Sequence, residues 1–485
     1  MTENKELSPE SLRKYFYEIC AIPRPSKKEE KIIEYIIDFA VSHNLEYIKD
    51  SAGNIVIRKD ASDGYENRPG VILQAHLDMV CQKNSGTVHD FEKDPVKTYI
   101  DGEWVKAQGT TLGADNGIGV AAALAVLESK ELLHGPVEAL FTVDEETGMT
   151  GAFNLNPDAL KGRIMINLDS EDEGEICIGC AGGLNSTLTF EYTLEPVPSG
   201  MKIYKISLTG LKGGHSGVDI NLGRGNANKL MNRVLWTASR ELGLRIADIE
   251  GGSLRNAIPR ESFVTAAIPS DKEKQFLNLI TEFENVIKNE LSSTEPDFSF
   301  KANPAESTFD HLIDINTQEI LLNAVYAVPD GVISMIKDMP DIVETSTNLA
   351  VVRSDASKNI IEVMSLLRSS SDSAKTDLSN VFTGIADLCK CEVNHEGSYP
   401  GWKPDMDSKL LQVTQQVYKN LFNKKPDVKV IHAGLECGII GSVFKGMDMV
   451  SVGPTIKFPH SPDEKLHIPS VRKFWDFLVE TLKAV

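Results

Sequence analysis

Short apolar runs, at residues 55–57, 71–73, 137–143 and 163–168, recur along the first third of the chain. Continuous apolar runs of this kind are typical of parallel strands that are buried on both faces. Between them, residues 32–40 carry isoleucine and alanine at helical spacing, and residues 118–127 are apolar all round. The second pattern indicates a helix buried against a sheet. The alternation predicts an α/β fold with a mostly parallel sheet flanked by helices.

The pattern changes after residue 186. Residues 187–399 contain alternating strands with amphipathic helices between them and carry none of the strong candidate metal motifs, which return only near the end of the chain. We therefore predict a catalytic domain made of residues 1–186 and 400–485, interrupted by an inserted α+β domain at residues 187–399. Residues 253–271 and 346–372 resemble each other weakly, so the sequence leaves open whether this insert is internally duplicated.

Composition and charge narrow the class of function. A chain of 485 residues is too long for one compact core, so two or more domains are expected. The net charge of −20 argues against nucleic acid or an anionic membrane as a partner. The polar first residues contain no signal-like apolar region, and no apolar run reaches the roughly 18 residues that a membrane span requires. Seven thinly spread cysteines favour a reducing compartment, so a cytoplasmic location is expected.

Acidic residues and histidines follow several of the predicted strands or begin the predicted buried helix. Because open α/β sheets bind their ligands at the carboxyl ends of the strands, these side chains are expected to meet at one edge of the sheet. Two histidines and several carboxylates at such an edge predict a metal site. The residues are His76, Asp78, Asp115, Glu145, Glu146, Asp169 and His460.

These residues predict a metal site only when they are considered together. Alone, His76 and Asp78 could be a surface pair, Asp115 a helix cap, and Glu145 with Glu146 a solvated acidic loop. Together, they supply what amide hydrolysis at neutral pH needs, namely ligands that bind zinc and leave a position for water, whose pKa falls to about 7. Asp78 can orient His76, Asp115 can bridge two metals through its two oxygens, and one of the adjacent glutamates can move protons.

The motifs around these residues resemble the M20 family of co-catalytic metallopeptidases, and in closer detail its aminoacyl-histidine (Xaa-His) dipeptidase branch. The similar segments run in the family's order over nearly the whole chain: residues 74–80, 111–119, 142–149, 166–171, 213–217, 432–438 and 459–464. The resemblance implies that His76, Asp115 and Asp169 hold one metal ion. It implies that Asp115, Glu146 and His460 hold the second, with Asp115 bridging.

The resemblance also implies the roles of the catalytic residues. Glu145 would be the general base, and Asp78 would orient the metal ligand His76. His215 would belong to the inserted domain, which the family uses as a lid and for dimerisation, and would stabilise the tetrahedral oxyanion. If the lid is duplicated, its second half could mimic a partner subunit, so the sequence leaves open whether His215 acts in its own chain or across a homodimer.

Four further residues are implied to contact substrate. Asn256 resembles a lid residue that contacts substrate, and Gly434 and Glu436 would line the cleft, with Glu436 holding the free α-amino group of a dipeptide. The arginine that family lids often carry after the strand following Asn256 is absent here, so Arg368 is the candidate clamp for the substrate carboxylate. A surface arginine with no such role is the alternative interpretation.

The resemblance implies a metal-dependent dipeptidase that cleaves small unblocked dipeptides, including Xaa-His and carnosine-like substrates, by a metal-activated hydroxide. Two zinc ions are expected, although manganese and cobalt accept the same ligands. A tripeptide aminopeptidase or an N-acyl amino acid deacylase of the same fold is the alternative. A non-catalytic metal-binding scaffold is less favoured, since a structural metal site would have no need of Glu145.

Overall fold

The computed structural model describes residues 6–305 and 309–485, which form two compact units. The first unit comprises the chain up to Gly179 together with Trp402–Val430 and Leu435–Val485. The second comprises Cys180–Gly401 and Ile431–Gly434. Residues 1–5, which contain most of the polar N-terminus on which the expectation about a signal segment rests, lie outside the described residues.

Among the described residues, the first unit contains an eight-stranded sheet. In spatial order its strands are Glu46–Lys49, Ile55–Lys59, Val137–Thr142, Val71–His76, Ile164–Asn167, Asp448–Ser451, Glu175–Cys180 and Asp427–Ile431. The predicted α/β class is confirmed. The third to sixth strands are parallel, whereas the first, second and seventh pair antiparallel with their neighbours. A short turn joins the first two strands, which forces them to pair antiparallel.

Helices cover this sheet. They are Glu10–Cys20, Glu30–Ser42, Ala114–Glu128, Glu145–Gly148, Thr150–Phe153, Lys409–Phe422, Glu436–Val443 and Ile468–Ala484. In Ala114–Glu128, every residue from Asn116 to Leu127 is buried, as its uniformly apolar sequence predicts. A small second sheet is formed by Thr98–Asp101, Trp104–Ala107, Ile456–Lys457 and Lys465–His467. None of the described helices combines the length and apolarity needed to cross a membrane.

The register of the parallel strands determines where the polar motifs leave the sheet. His76 is the last residue of its strand and lies opposite Thr142, while Gln74 lies opposite Asn167. The segments that follow these strands, which carry Asp78, Glu145 and Asp169, therefore begin at the same edge. This is the arrangement expected of a ligand site at the carboxyl end of a parallel sheet.

In the part of the chain that the structure describes, the second unit contains a nine-stranded antiparallel sheet. In spatial order the strands are Ser299–Pro304, Met201–Thr209, Ser262–Pro269, Arg245–Gly251, Met339–Asp355, Ile360–Ser369, Gly182–Glu191 and Glu392–Tyr399, and Gly331–Ile336 pairs with Met339–Asp355. The helices are Ala227–Leu242, Glu273–Glu290, Ile315–Ala327 and Asp372–Cys389, with a short 3₁₀ turn at Ser270–Lys272. Short strand pairs join Leu194–Pro196 to His311–Ile313 and Gly214–His215 to Ala257–Ile258.

The two halves of this sheet share one β-α-β-β-α-β topology. In each half the first strand of the motif lies between the third and the fourth, and the halves meet where Arg245–Gly251 pairs with Met339–Asp355. The strands Ser262–Pro269 and Ile360–Ser369, which contain the strands of the two weakly similar sequence segments, occupy equivalent places in the two halves. The duplication that the sequence leaves open is therefore present in the topology.

The boundaries of the second unit differ slightly from the predicted insert of residues 187–399. The unit also includes residues 180–186, 400–401 and Ile431–Gly434. The segment Ile431–Gly434 belongs to this unit through a long-range contact, because the backbone N–H of Ala181 donates to the carbonyl oxygens of Ile431 and Ala433, each at 3.1 Å. Such a long-range contact leaves no trace in the local hydrophobic pattern.

Candidate active site

Three of the predicted metal ligands meet at the end of the parallel strands in the first unit. The Nε2 atom of His76 lies 3.0 Å from Oδ1 of Asp115 and 3.4 Å from Oδ1 of Asp169. On the other side of its ring, Nδ1 of His76 lies 3.2 Å from the carbonyl oxygen of Asp78 and 3.4 Å from its carboxylate. In the neutral ring these acceptors favour a proton on Nδ1, which leaves the lone pair of Nε2 for a metal ion on the side of the two carboxylates.

A second cluster shares Asp115 with the first. Nε2 of His460 lies 3.1 Å from Oδ2 of Asp115 and 3.1 Å from Oε2 of Glu146. The two oxygens of Asp115 therefore face different histidines. The other carboxylate oxygen of Glu146, Oε1, is buried and has no hydrogen-bond partner among the described residues.

The donor atoms fit a pair of divalent metal ions. Two atoms that each lie about 2.0–2.1 Å from one tetrahedral zinc ion are roughly 3.4 Å apart, close to the separations between these imidazole nitrogens and carboxylate oxygens. One ligand atom from each of His76, Asp115 and Glu146 lies within 4.8 Å of the others. Imidazole and carboxylate are also ligands that zinc, manganese and cobalt accept.

The turn that carries Asp115 positions the shared carboxylate. It follows Gly113, whose φ of 71° is the left-handed conformation that glycine adopts most easily. Asp115 and Asn116 have non-helical dihedral angles, so the regular helix starts only after them. The side-chain amide of Asn116 donates a hydrogen bond to the carboxylate of Asp169. A glycine-flanked aspartate in the sequence indicates a turn, but not this contact.

Asp78 contacts more of the site than the sequence predicts. Besides lying near His76, its buried carboxylate accepts hydrogen bonds from the backbone N–H groups of Glu145 at 3.0 Å and Glu146 at 3.2 Å. It also accepts one from the hydroxyl of Ser26 at 2.7 Å. Burial raises the pKa of Asp78, but the hydrogen bond and charge of His76 outweigh this and lower it to about 2. One carboxylate therefore orients both a predicted metal ligand and the adjacent glutamate pair.

In the metal-free protein, the closely spaced charges shift the pKa values of the site. Burial raises the pKa of Glu145 well above its usual range, and the negative charges of Asp169, Glu436 and Glu146 add to this effect. The hydrogen bonds from His460 to Asp115 and Glu146 raise the pKa of His460 to about 11. Burial lowers the pKa of His76, but its carboxylate neighbours outweigh burial and raise it well above the usual value.

We expect metal binding to displace these protons. Because both histidines hold a proton above their usual pKa, metal ions compete with protons at neutral pH, and the apparent metal affinity should increase as the pH rises from about 6 to about 9. Titration calorimetry of the metal-free protein in two buffers of different ionisation enthalpy measures the proton release, expected to be about two protons for a full site. An affinity that does not change with pH would contradict this assignment of the ligands.

A buried polar network lies beneath the metal ligands, and of its members only Glu436 is among the site residues predicted from the sequence. Glu436 is 1% exposed, and its Oε2 accepts hydrogen bonds from the hydroxyl of Thr142 at 2.6 Å and the amide of Gln74 at 2.7 Å. Its Oε1 is buried, and no residue in the described part of the chain forms a hydrogen bond with it. Burial raises the pKa of Glu436 to about 7. Gln74 also accepts a hydrogen bond from Asn167, and these polar residues within apolar strands are the signal that could have revealed the network.

His215 lies in the second unit, at the end of the short strand Gly214–His215 that pairs with Ala257–Ile258. Its Nδ1 accepts hydrogen bonds from the backbone N–H groups of Gly217 and Val218, each at 3.1 Å. A ring nitrogen that accepts two hydrogen bonds carries no proton, so the neutral imidazole must carry its proton on Nε2. Burial and the positive charge of Arg368 lower the pKa of His215, which favours this neutral form.

Arg368 is a buried arginine without an ion-pair partner among the described residues. Its side chain is 4% exposed, and its Nη1 donates to the hydroxyl of Tyr399 at 3.1 Å, while Nε and Nη2 lie 3.4 Å from the hydroxyl of Ser216. A buried charge with only neutral partners has an unfavourable free energy, and a bound anion would offset this cost. His432 lies in the same unit, where it shares a hydrogen bond with Ser346, and burial and Arg368 lower its pKa to about 3.

The other two predicted substrate residues also lie in the second unit. Asn256 is exposed, and its carbonyl oxygen accepts a hydrogen bond from the N–H of Ser216 at 2.8 Å, which ties it to the loop of His215. Gly434 is the last residue of the segment Ile431–Gly434. The structure thus brings Asp78, Glu145 and Glu436 together with the metal ligands in the first unit, and groups His215, Asn256 and Arg368 in the second.

Comparison with known proteins places these features in a family context. The family model for peptidase family M20/M25/M40 matches residues 72–484 of this chain. The cytosol non-specific dipeptidase of Escherichia coli K12 is 47% identical over 485 residues, which cover 100% of this chain and 99% of that protein.

Two solved structures are also similar to this chain. The crystal structure of the aminoacylhistidine dipeptidase from Vibrio alginolyticus superposes with a TM-score of 0.93 at 47% identity and covers 100% of this chain and 98% of that one. A tripeptidase from Staphylococcus aureus, at 17% identity and a TM-score of 0.55, covers 98% of each chain. At that identity, the second match shows a shared fold alone.

Proposed function

Because this chain belongs to peptidase family M20/M25/M40, we propose that it is a two-metal dipeptidase that cleaves the amide bond of small unblocked dipeptides, including Xaa-His substrates. The observation that carries this proposal is the carboxylate of Asp115, whose two oxygens face His76 and His460. The full-length similarity to two dipeptidases supports the substrate class. Zinc is the proposed metal, since catalytic zinc sites use imidazole and carboxylate ligands of this kind.

The proposed chemistry assigns proton transfer to Glu145. When two metal ions are bound, they lower the pKa of a water molecule and polarise the scissile carbonyl. Glu145 would take a proton from that water as the water oxygen bonds to the carbonyl carbon, and would deliver the proton to the amide nitrogen as the C–N bond breaks and the amine departs. Glu145 suits this role because it lies three residues after the end of the buried strand Val137–Thr142 and its backbone N–H donates to the carboxylate of Asp78. His76, Asp115, Asp169, Glu146 and His460 are the proposed metal ligands.

We propose that His215 stabilises the negatively charged oxygen of the tetrahedral intermediate. Since Nδ1 of His215 accepts two backbone hydrogen bonds, its Nε2–H is the group that can donate to an oxyanion. Arg368 is proposed to bind the terminal carboxylate of the dipeptide, and Glu436 its free α-amino group. Asn256 is proposed to contact the substrate, and Gly434 to line the substrate cleft.

A substrate panel tests the proposal against its alternatives. The metal-reconstituted protein should cleave β-alanyl-histidine, alanyl-histidine and leucyl-glycine, and a chelator should abolish the activity. It should not cleave an N-acetyl amino acid, because an acylated substrate has no amine for Glu436 to bind. It should not cleave a tripeptide, because the amino and carboxyl ends of a tripeptide lie one residue farther apart than those of a dipeptide. Cleavage of only the last two would favour a tripeptide aminopeptidase or a deacylase. Metal binding without any cleavage would favour the scaffold.

A mixing experiment tests whether His215 acts within its own chain. We propose that it does, because the duplicated topology of the second unit supplies within one chain the repeat that a partner subunit could otherwise provide. Co-expressed Glu145→Gln and His215→Ala chains should then show no recovery of activity beyond the sum of the separate variants. Recovery toward about a quarter of wild-type activity, as expected for random pairing in a homodimer, would show that His215 acts across the interface.

The location and assembly of the protein complete the proposal. A cytosolic enzyme is proposed because the Escherichia coli relative is a cytosol dipeptidase. A homodimer is proposed on the family resemblance, and light scattering of the purified protein tests it. No nucleic acid or membrane partner is expected, in keeping with the net charge of −20.

A further inference from the structure

Glu464 is a buried carboxylate that lies outside the proposed ligand set. It is 2% exposed, and its two oxygens accept hydrogen bonds from four consecutive backbone N–H groups. The donors are Leu112 at 2.7 Å, Gly113 at 2.9 Å, Ala114 at 2.8 Å and Asp115 at 3.3 Å. These residues form the turn that carries the shared carboxylate of Asp115.

Arg24 binds the same turn, but through a backbone carbonyl oxygen and not through N–H groups. It is 1% exposed, and its Nη1 donates to the carbonyl oxygens of Leu77 at 2.9 Å and Asp78 at 2.7 Å. Its Nη2 donates to the carbonyl oxygen of Gly113. Among the described residues Arg24 forms no ion pair, so its charge is directed at backbone carbonyls alone.

Both side chains bind the backbone of Gly113. Arg24 holds its carbonyl oxygen, and Glu464 holds its N–H group. A Cβ atom at this position would lie 2.6 Å from Nη2 of Arg24 and 2.9 Å from Sδ of Met79, and φ is 71°. Glycine is therefore required here by both space and backbone conformation.

These contacts connect the three segments that carry the shared ligand and its two histidines. Leu77, held by Arg24, directly follows His76, and Gly113 lies two residues before Asp115. Glu464 lies four residues after His460, and its N–H donates to the carbonyl oxygen of Ser461 at 2.9 Å, which closes the turn after that histidine. All of these residues belong to the first unit.

Two charged side chains, Arg24 and Glu464, hold this turn in place of apolar packing. Burying a charge without an opposite charge in contact is expensive, and apolar packing could join the same segments at lower cost. Charged groups, however, make shorter and stronger hydrogen bonds to backbone groups than neutral ones do. They therefore restrict the turn more tightly, and a bridging ligand must be placed accurately for two metals.

We propose that Arg24 and Glu464 form a charged clamp that sets the position of Asp115 relative to His76 and His460 before metal binds. The inference rests on the proposed two-metal site. Both are positioning residues, since neither contacts the donor atoms of the ligand side chains. Their effect on metal binding passes through the backbone of the turn at residues 112–115.

Glu464→Gln tests the clamp with little change in shape. The amide –NH₂ group would face backbone N–H donors, so at least one pair of hydrogen bonds is lost. Cobalt(II) titration of the metal-free protein, followed by visible absorption, is expected to show about 10- to 100-fold weaker binding and a changed d–d spectrum. With dipeptide, kcat should fall while KM changes little, because the substrate groups are not contacted.

Glu138→Gln is the matched control. Glu138 is also a buried carboxylate of the first unit, and it accepts hydrogen bonds from the backbone N–H groups of Lys161 at 2.8 Å and Gly162 at 2.7 Å. It lies near the start of its strand, whereas the proposed ligands lie at the carboxyl ends. Its substitution should lower the melting temperature measured with chelator present, but leave cobalt affinity and spectrum unchanged.

Arg24→Lys is the second variant. Lysine keeps the charge but lacks the planar fork that spans the carbonyl oxygens of Leu77, Asp78 and Gly113. It is expected to weaken cobalt binding in the same direction as Glu464→Gln. Wild-type affinity and spectrum in both variants would overturn the clamp, as would loss of folding in both when circular dichroism is measured with chelator. Failure of the wild-type protein to bind cobalt would instead contradict the proposed two-metal site.

Discussion

Replacement of Glu145 by glutamine is expected to lower kcat for dipeptide hydrolysis by about 10²–10⁴-fold, the range that a general base contributes. Glutamine has nearly the same shape but cannot accept and release a proton at neutral pH. Metal content should not change, because the proposed ligands remain in place. The measurement is steady-state kinetics on alanyl-histidine, together with metal analysis of the same sample.

The neighbouring residue provides the control. Oε2 of Glu146 lies 3.1 Å from Nε2 of His460, so Glu146→Gln should weaken metal binding, and its activity should recover in part at high metal concentration. Glu145→Gln should show no such recovery. If Glu145→Gln lost metal instead, or kept wild-type kcat, the assignment of the base would be wrong.

Replacement of Arg368 by methionine is expected to lower kcat/KM for a dipeptide by about 10²–10³-fold, since loss of a buried charged partner typically costs about 2–5 kcal/mol. The effect should appear mainly in KM if the carboxylate is held equally in the ground and transition states. A dipeptide amide has no carboxylate, so the wild-type protein should cleave it poorly. The variant should cleave the amide about as well as the wild type does.

Stability measurements separate binding from folding at this position. Arg368 is buried beside only neutral hydroxyl groups, so its removal relieves an uncompensated charge, and the melting temperature should stay the same or rise. Arg353→Met is the control, because Arg353 lies on a neighbouring strand, is half-exposed and pairs with Glu362 at 3.0 Å. It should leave kcat/KM unchanged. Equal losses on the dipeptide and its amide would contradict the carboxylate role.

The arrangement of Arg368 and His215 bears on how the second unit works. The positive charge of Arg368 helps to lower the pKa of His215, so the same residue that is proposed to bind the substrate carboxylate also favours a neutral imidazole. A neutral imidazole with its proton on Nε2 can donate a hydrogen bond to an oxyanion without transferring that proton to it. Arg368→Met should therefore also shift the pKa of His215 upward, which NMR titration of its ring can measure.

The hydrophobic pattern of the chain was enough to predict the α/β class, the buried helix and the strand ends from which the metal motifs project. These features depend on local periodicity, because a buried strand or helix must be apolar wherever it touches the core. The motifs around His76, Asp115 and His460 carried the family resemblance, and the family assignment is confirmed by the match over residues 72–484. The individual roles of the site residues stay predictions until the variants are measured.

Only the tertiary structure decided how these residues are held. Asp78 binds the backbone of Glu145 and Glu146, Arg24 and Glu464 both bind the backbone of Gly113, and Glu436 joins Gln74 and Thr142 beneath the site. Each contact joins residues that are far apart in the chain, and most have a backbone group as one partner. Backbone groups are the same in every residue, so the sequence carries no mark of which of them a buried charge will bind. The sequence determined which chemical groups are available, and folding determined which of them meet.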